Sequence, residues 1–116
     1  MKVLIVEDEM PAAKQLTKLV KAFRPQTQVV DILDSVEAAV DWFSNHPMPE
    51  LIFMDIQLAD GLSFEIFNHT KIDKPIIFTT AYDQYAIQAF KVNAIDYLLK
   101  PIKKVELERS IQKFKT

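Results

Sequence analysis

Apolar residues come in two alternating patterns along this chain. Lys2-Val3-Leu4-Ile5-Val6 is a continuous, β-branched-rich run that stops at Glu7-Asp8-Glu9. Unbroken hydrophobicity of that length predicts a strand covered on both faces, as in a parallel sheet. The spacing then turns helical. Pro11 suits a first helical turn, and Ala12, Leu16, Leu19, Val20 and Phe23 share one face until Arg24-Pro25 ends the segment. Gln28 to Leu33 reads as a second strand. Ser35 is placed to cap a helix carrying Val36, Ala39, Val40 and Phe43 on one face, closed by His46-Pro47. Leu51-Ile52-Phe53-Met54 is a third strand, terminated by Asp55, and a loop through Asp60-Gly61 leads to a helix around Ser63 to Thr70. Pro75 to Thr79 is a fourth strand, its proline tolerated at the start. Asp83 is placed to cap a short helix reaching Phe90, and Ala94 to Leu98 is a fifth strand. Pro101 opens a last helix in which Leu107, Ile111 and Phe114 recur at i, i+4 and i+7.

Strand and helix thus alternate five times, with no linker, repeat or low-complexity stretch, so residues 1–116 read as one domain. Such alternation implies right-handed crossovers and a parallel sheet with helices on both faces. The expected fold is a flavodoxin-like (βα)5 α/β/α sandwich, doubly wound, with strand order 2-1-3-4-5 and its switch point between strands 1 and 3. The alternation comes from the sequence; the order is an analogy.

Composition narrows the function. With 116 residues, 49% hydrophobic and 26% charged, the chain suits a single globular domain with a core of its own. Cysteine is absent, which removes disulfides, thiolate zinc sites and thiol catalysis. A single glycine, Gly61, leaves no way to write a dinucleotide fingerprint or a P-loop. A formal charge of −2 argues against nucleic acid as a direct partner. No apolar run approaches a membrane span and the first residues lack a signal-peptide layout, so the expected setting is the cytoplasm, with no membrane contact.

Ligands of doubly wound sheets bind beyond the carboxyl ends of the strands. There the sequence places Glu7 and Asp8 after strand 1, Asp55 after strand 3, Thr79-Thr80 after strand 4 and Lys100 after strand 5. Taken singly, these are ordinary loop acids, a strand-end threonine and an exposed lysine. Together, each at the ligand end of its own strand, they make a set. Three carboxylates in one place repel unless a cation sits among them. Mg²⁺ suits this arrangement, because it takes few carboxylates and keeps room for phosphate oxygens. A metal and an ammonium around a carboxylate describe a phosphoryl-transfer site in which the carboxylate is itself the nucleophile.

On Val6-Glu7-Asp8-Glu9, Met54-Asp55-Ile56, Thr80-Ala81 and Tyr97-Leu98-Leu99-Lys100-Pro101, the whole chain resembles the receiver domain of bacterial two-component response regulators. By position, the resemblance makes Asp55 the phosphoacceptor and Asp8 and Asp55 the direct Mg²⁺ carboxylates. It gives Glu7 a place at the metal through water and Gln57 a backbone carbonyl ligand. Thr80 is then the switch hydroxyl, Tyr97 the switch aromatic and Lys100 the phosphate-pairing lysine, followed by a cis Lys100-Pro101 bond. Thr80-Ala81-Tyr82-Asp83-Gln84-Tyr85-Ala86 and Ala94-Ile95-Asp96-Tyr97-Leu98-Leu99-Lys100-Pro101 further resemble receivers that precede a LytTR-type DNA-binding domain. Ala59 departs from the proline many receivers carry after the phosphoacceptor.

The resemblance implies a phosphorylation switch, not an enzyme acting on other molecules. A histidine kinase or phosphotransfer protein would supply the phosphoryl group, small Ala81 would leave it room, and Tyr97 would rotate inward as Thr80 moves. The face formed by the fourth helix, fifth strand and fifth helix would be read out. There Gln84, Gln88, Lys91, Asn93, Asp96 and Lys103 are placed for salt bridges across a homodimer. DNA would be reached only through an output domain beyond Thr116, in control of transcription. Gln57 and Tyr82 flank the path of attacking water, with Tyr82 as a shield. Two other readings stand beside this one. A haloacid-dehalogenase-like phosphohydrolase needs a second Asp where Gln57 stands. A pseudo-receiver acting only as an interaction module predicts loss of site residues, all of which are present.

Overall fold

Strands that are apolar on both faces need two layers of cover, and the chain supplies both. In the computed structural model, which describes residues 1–115, five strands form one parallel sheet: β1 (Lys2–Val6), β2 (Gln28–Leu33), β3 (Leu51–Asp55), β4 (Ile76–Thr80) and β5 (Asp96–Leu99). Their order is β2-β1-β3-β4-β5, as expected for the flavodoxin-like arrangement. Helices α1 (Met10–Phe23) and α4 (Lys104–Lys115) cover one face; α2 (Val36–Asn45), a 3-10 helix (Ser63–Asn68) and α3 (Ala86–Lys91) cover the other. Thr116 lies outside the described residues.

Alternation within each strand feeds two separate cores. Val3 and Ile5 of β1 pack with Phe53 of β3 and with Leu16, Leu107 and Ile111 of α1 and α4. Leu4 and Val6 point the other way, toward Ile52, Met54, Phe78 and the α2 residues Ala39, Trp42 and Phe43. Val3 to Val6 of β1 and Leu51 to Met54 of β3 are each at 0% exposure, which is why these runs show no polar alternation.

Ser35 caps α2 as expected, its Oγ accepting from the Ala38 amide at 3.0 Å. Several boundaries differ from the sequence reading. The helix expected around Ser63 to Thr70 is a 3-10 turn that stops at Asn68. Asp83 does not cap α3; Tyr85 occupies the cap position with no side-chain cap bond. Pro101 does not open the last helix, which begins at Lys104. The fourth strand runs Ile76–Thr80 and the fifth Asp96–Leu99, each later than expected, because pairing to the neighbouring strand sets the register. In α1 the buried alanine is Ala13 rather than Ala12, and in α2 Trp42 is buried while Val40 is only partly so.

After β3, Gln57–Leu58 and Gly61–Leu62 pair as a two-residue antiparallel hairpin. Gly61 has φ 143°, a conformation that side chains disfavour, so the chain's only glycine stands where the turn requires one. With Ala59 in place of proline, the loop is instead fixed by Asp60. Its carboxylate accepts from the Val36 and Glu37 amides at 2.7 and 3.1 Å, capping α2 from outside the helix. These amides, the Val36 one foremost, hold the Asp60 carboxyl below its ordinary value.

Candidate functional site

At the carboxyl end of the sheet the hydrogen-bond ladder runs past the strands and positions the residues just beyond them. The Glu7 amide donates to the Leu33 carbonyl at 2.7 Å, the Ile56 amide to Thr79 at 3.2 Å and the Lys100 amide to Thr80 at 2.7 Å. Backbone pairing thus brings Glu7, Asp55, Thr80 and Lys100, far apart in sequence, to one edge. The Lys100-Pro101 peptide is cis, as expected.

Lys100 is the hub. Its Nζ lies 2.6 Å from Glu7 Oε1, 2.9 Å from Asp55 Oδ2 and 3.3 Å from Glu9 Oε1. Glu7 and Asp55 are buried at 3% and 4% exposure, so their charges cannot rely on water. Each carboxylate also accepts a backbone donor: Glu7 Oε2 from the Glu9 amide at 3.2 Å, and Asp55 Oδ1 from the Gln57 amide at 3.2 Å. Burial pushes the Glu7 carboxyl up to about 7; Lys100 opposes the shift and the nearby Asp55 adds to it. Burial works to lower the Lys100 ammonium, but its bonds to Glu7 and Asp55 outweigh that and hold it above its ordinary value.

Carboxylate oxygens of Glu7, Asp8, Glu9 and Asp55 all lie within 4.8 Å of one another. One ammonium among four carboxylates leaves the cluster with excess negative charge. An all-oxygen donor set with excess negative charge fits a hard divalent cation such as Mg²⁺. Glu9 carried no separate role in the sequence reading; its place two residues from Glu7 on the same edge was the available signal.

The cluster opens into a cleft of ≈ 360 Å³ lined by Asp8, Glu9, Asp55, Gln57, Thr80, Ala81, Tyr82 and Lys100 among others. Thr80 is fully buried, and its Oγ1 accepts from the Tyr82 amide at 3.3 Å. Tyr82, 46% exposed, stands at the mouth of the cleft. Half-buried Tyr97 is tied to the same loop: its hydroxyl donates to the Tyr82 carbonyl and accepts from the Tyr85 amide at 3.3 Å. Burial raises the Tyr97 phenol above its ordinary value, so it stays a neutral donor. Tyr85, which the sequence offers only as part of the segment 80–86 and without a role of its own, has a hydroxyl that accepts from Gln57 Nε2 at 3.0 Å. Trp42, on α2, does not line this cleft.

On the face of α3, β5 and α4, the Asp96 carboxylate is held within the chain. It accepts from Ser110 Oγ, from Lys113 Nζ at 3.2 Å and from the Tyr97 amide at 2.9 Å. Burial works to raise its carboxyl, yet these donors hold it below its ordinary 3.8. An acid lowered in the fold contributes stability above its unfolded value and loses it as pH falls through the folded one. Asp96→Asn is therefore expected to cost about 1 kcal/mol at pH 7, with the deficit shrinking below about pH 4 as the wild-type carboxyl protonates. Chemical denaturation of both chains at the two pH values checks this.

Fold and pocket together define a doubly wound α/β domain with a carboxylate-lysine site at its switch point. The chain belongs to the response regulator receiver domain family, whose profile matches residues 3–112. It is 41% identical over 118 residues to the sensory transduction protein LytT of Bacillus anthracis, covering 99% of this chain and 47% of that protein. It is 34% identical over 119 residues to the transcriptional regulatory protein LytR of Staphylococcus aureus (strain N315), covering 97% of this chain and 46% of that one. The crystal structure of the response regulatory domain of protein mrkE from Klebsiella pneumoniae superposes with a TM-score of 0.84 at 32% identity, over 99% of this chain and 95% of that one. The chain thus spans about half the length of the LytT and LytR relatives. Among the described residues no helix is long and apolar enough to cross a membrane.

Proposed function

We propose that this receiver is a phosphorylation switch in which Asp55 takes a phosphoryl group from the phosphohistidine of a histidine kinase or phosphotransfer protein. The observation that carries this reading is the Lys100 ammonium, 2.9 Å from a buried Asp55 carboxylate at the floor of an open cleft. An oxygen of Asp55 attacks phosphorus, the P–N bond to imidazole breaks, and the imidazole leaves with the bonding pair. Lys100 pairs with a phosphoryl oxygen, and Ala81 presents only a methyl group to the space the phosphoryl group enters. Asp8, Asp55 and the Gln57 carbonyl, with Glu7 through water, would hold Mg²⁺, which neutralises phosphoryl oxygens when bound.

The hydrogen bonds supply a route to the surface. Thr80 turning its hydroxyl toward a phosphoryl oxygen gives up the Tyr82 amide, and Tyr82 is the residue whose carbonyl holds Tyr97. Local charge at Asp55 thereby biases a loop and an aromatic ring on β5. On the outer face, Ile87 and Phe90 of α3 are 73% and 82% exposed, and Leu99 of β5 is 45% exposed. That apolar surface supports homodimerisation through α3, β5 and α4, with DNA reached through an output domain as in a LytT-type transcription regulator. The chain acts in the cytoplasm and turns over no substrate apart from its own phosphoryl group.

Intact mass after incubation with Mg²⁺ and acetyl phosphate or a phosphorylated kinase tests the proposal. The expected result is one added phosphoryl group, lost when EDTA is present. No added mass from either donor overturns it in favour of an interaction module that is not phosphorylated.

A further inference from the structure

The hydrogen bond from Gln57 Nε2 to the Tyr85 hydroxyl joins two elements that the sequence gives no reason to connect. Gln57 lies two residues beyond Asp55 and lines the cleft above it. Tyr85 stands at the start of α3, where its ring packs against Phe64 at 6.2 Å between centroids and its amide donates to Tyr97. Committing the Gln57 nitrogen to Tyr85 fixes the plane of the carboxamide. Its carbonyl Oε1 is then the remaining polar atom, without a protein partner among the described residues. A fixed acceptor in a cleft over an acyl phosphate is suited to accept a hydrogen bond from a water and so orient it.

We infer that Tyr85 is a positioning residue for loss of the phosphoryl group: it holds Gln57 so that the Gln57 carbonyl orients the water that hydrolyses phospho-Asp55. This rests on the phosphorylation reading above. In the step, the water oxygen attacks phosphorus and the P–O bond to Asp55 breaks. The carboxylate leaves with the bonding pair, the water proton passes to solvent, and inorganic phosphate is released. Because Tyr85 is also bonded to Tyr97, the group that sets phosphate lifetime is wired to the ring proposed to report phosphorylation. Lifetime and switch position are thus coupled through one residue, Tyr85, by its hydroxyl on one side and its amide on the other.

The test follows decay of the phosphorylated chain by intact mass, after loading with acetyl phosphate and Mg²⁺ and rapid removal of the donor. Wild type, Gln57→Ala, Tyr85→Phe and the double variant are compared, with a thermal melt of each. Tyr85→Phe keeps the ring against Phe64 and removes only the hydroxyl. It is expected to slow decay by about two- to tenfold, the rate equivalent of one hydrogen bond, with an unchanged melting temperature. Gln57→Ala is expected to slow decay at least as much, and the double variant to match Gln57→Ala alone. A merely structural Tyr85 would instead shift the melting temperature and multiply with Gln57→Ala. Wild-type or faster decay in Tyr85→Phe, or multiplying effects, overturns the inference while phosphorylation stands. A wild-type chain that gains no mass from acetyl phosphate or from a phosphorylated kinase overturns the phosphorylation reading, and this inference with it.

Discussion

Asp55→Asn is expected to abolish phosphoryl incorporation completely and to leave the chain folded. The two results have separate causes. An amide matches the carboxylate in shape but lacks the anionic oxygen that attacks phosphorus, so the reaction loses its nucleophile rather than a stabilising contact. The fold survives because Asp55 is one of several anions around a single ammonium. Lys100 keeps Glu7 at 2.6 Å and Glu9 at 3.3 Å. Removing Asp55 also removes two of the influences that push the Glu7 carboxyl up. A neutral amide can still accept the Gln57 amide that Asp55 now holds at 3.2 Å. Intact mass with acetyl phosphate and Mg²⁺, beside a thermal melt at pH 7, reads both halves. A phosphoryl group on the variant would place the acceptor on another residue. A collapsed melting temperature would make Asp55 structural.

Lys100→Met is the mirror case, in which folding should suffer most. The methionine keeps most of the stem but leaves Glu7 and Asp55, both nearly inaccessible, with no cation between them. Breaking a buried ion pair from one side strands the other charge, and the expected loss is about 3 kcal/mol at pH 8. That is the low end of the usual range, because the cleft opens to solvent. The pH dependence has a definite sign. Glu7 already titrates near 7 with Lys100 present, and removing the ammonium moves it higher still. An acid whose folded value is raised binds more protons in the fold than in the unfolded chain. Stability is therefore highest below the unfolded value, ordinarily 4.5, and is lost as pH rises through the folded one. The variant should approach wild type near pH 5 and fall behind as pH rises toward 8. Added Mg²⁺ should stabilise it more than wild type, because among the described residues Lys100 is the cation paired with this four-carboxylate cluster. Denaturation midpoints at pH 5, 6.5 and 8, with and without Mg²⁺, check all three statements. A deficit independent of pH would mean that Lys100 acts by packing alone.

The exposed pair Ile87 and Phe90 bears on how the proposed switch is read. By sequence this face carries charge, with Asp96 as one candidate partner across a dimer. The fold uses Asp96 to tie β5 to α4, and the side chains it leaves outward on α3 include this apolar pair. Dimerisation through this face would then draw on burial of Ile87 and Phe90 more than on ion pairs.

The sequence by itself determined the βα alternation, the two-sided burial of β1 and β3, the Ser35 cap and the residues at the strand ends. Each of these is local: an apolar run, a helical spacing or a capping side chain acts over a few residues and leaves its mark there. Asp8, Asp55, Thr80 and Lys100 were legible for the same reason, since a parallel sheet sends every strand's end to one edge. Only the tertiary structure decided the rest. The start of β5 is set by pairing with β4, and the segment after Gly61 is a 3-10 turn where its sequence reads as a helix. Lys100 between Glu7 and Asp55, Asp60 across to α2, Gln57 on Tyr85 and Asp96 on Ser110 join residues at least 14 positions apart. No local pattern encodes such pairs, because each exists only once the fold has brought two distant segments within hydrogen-bonding distance.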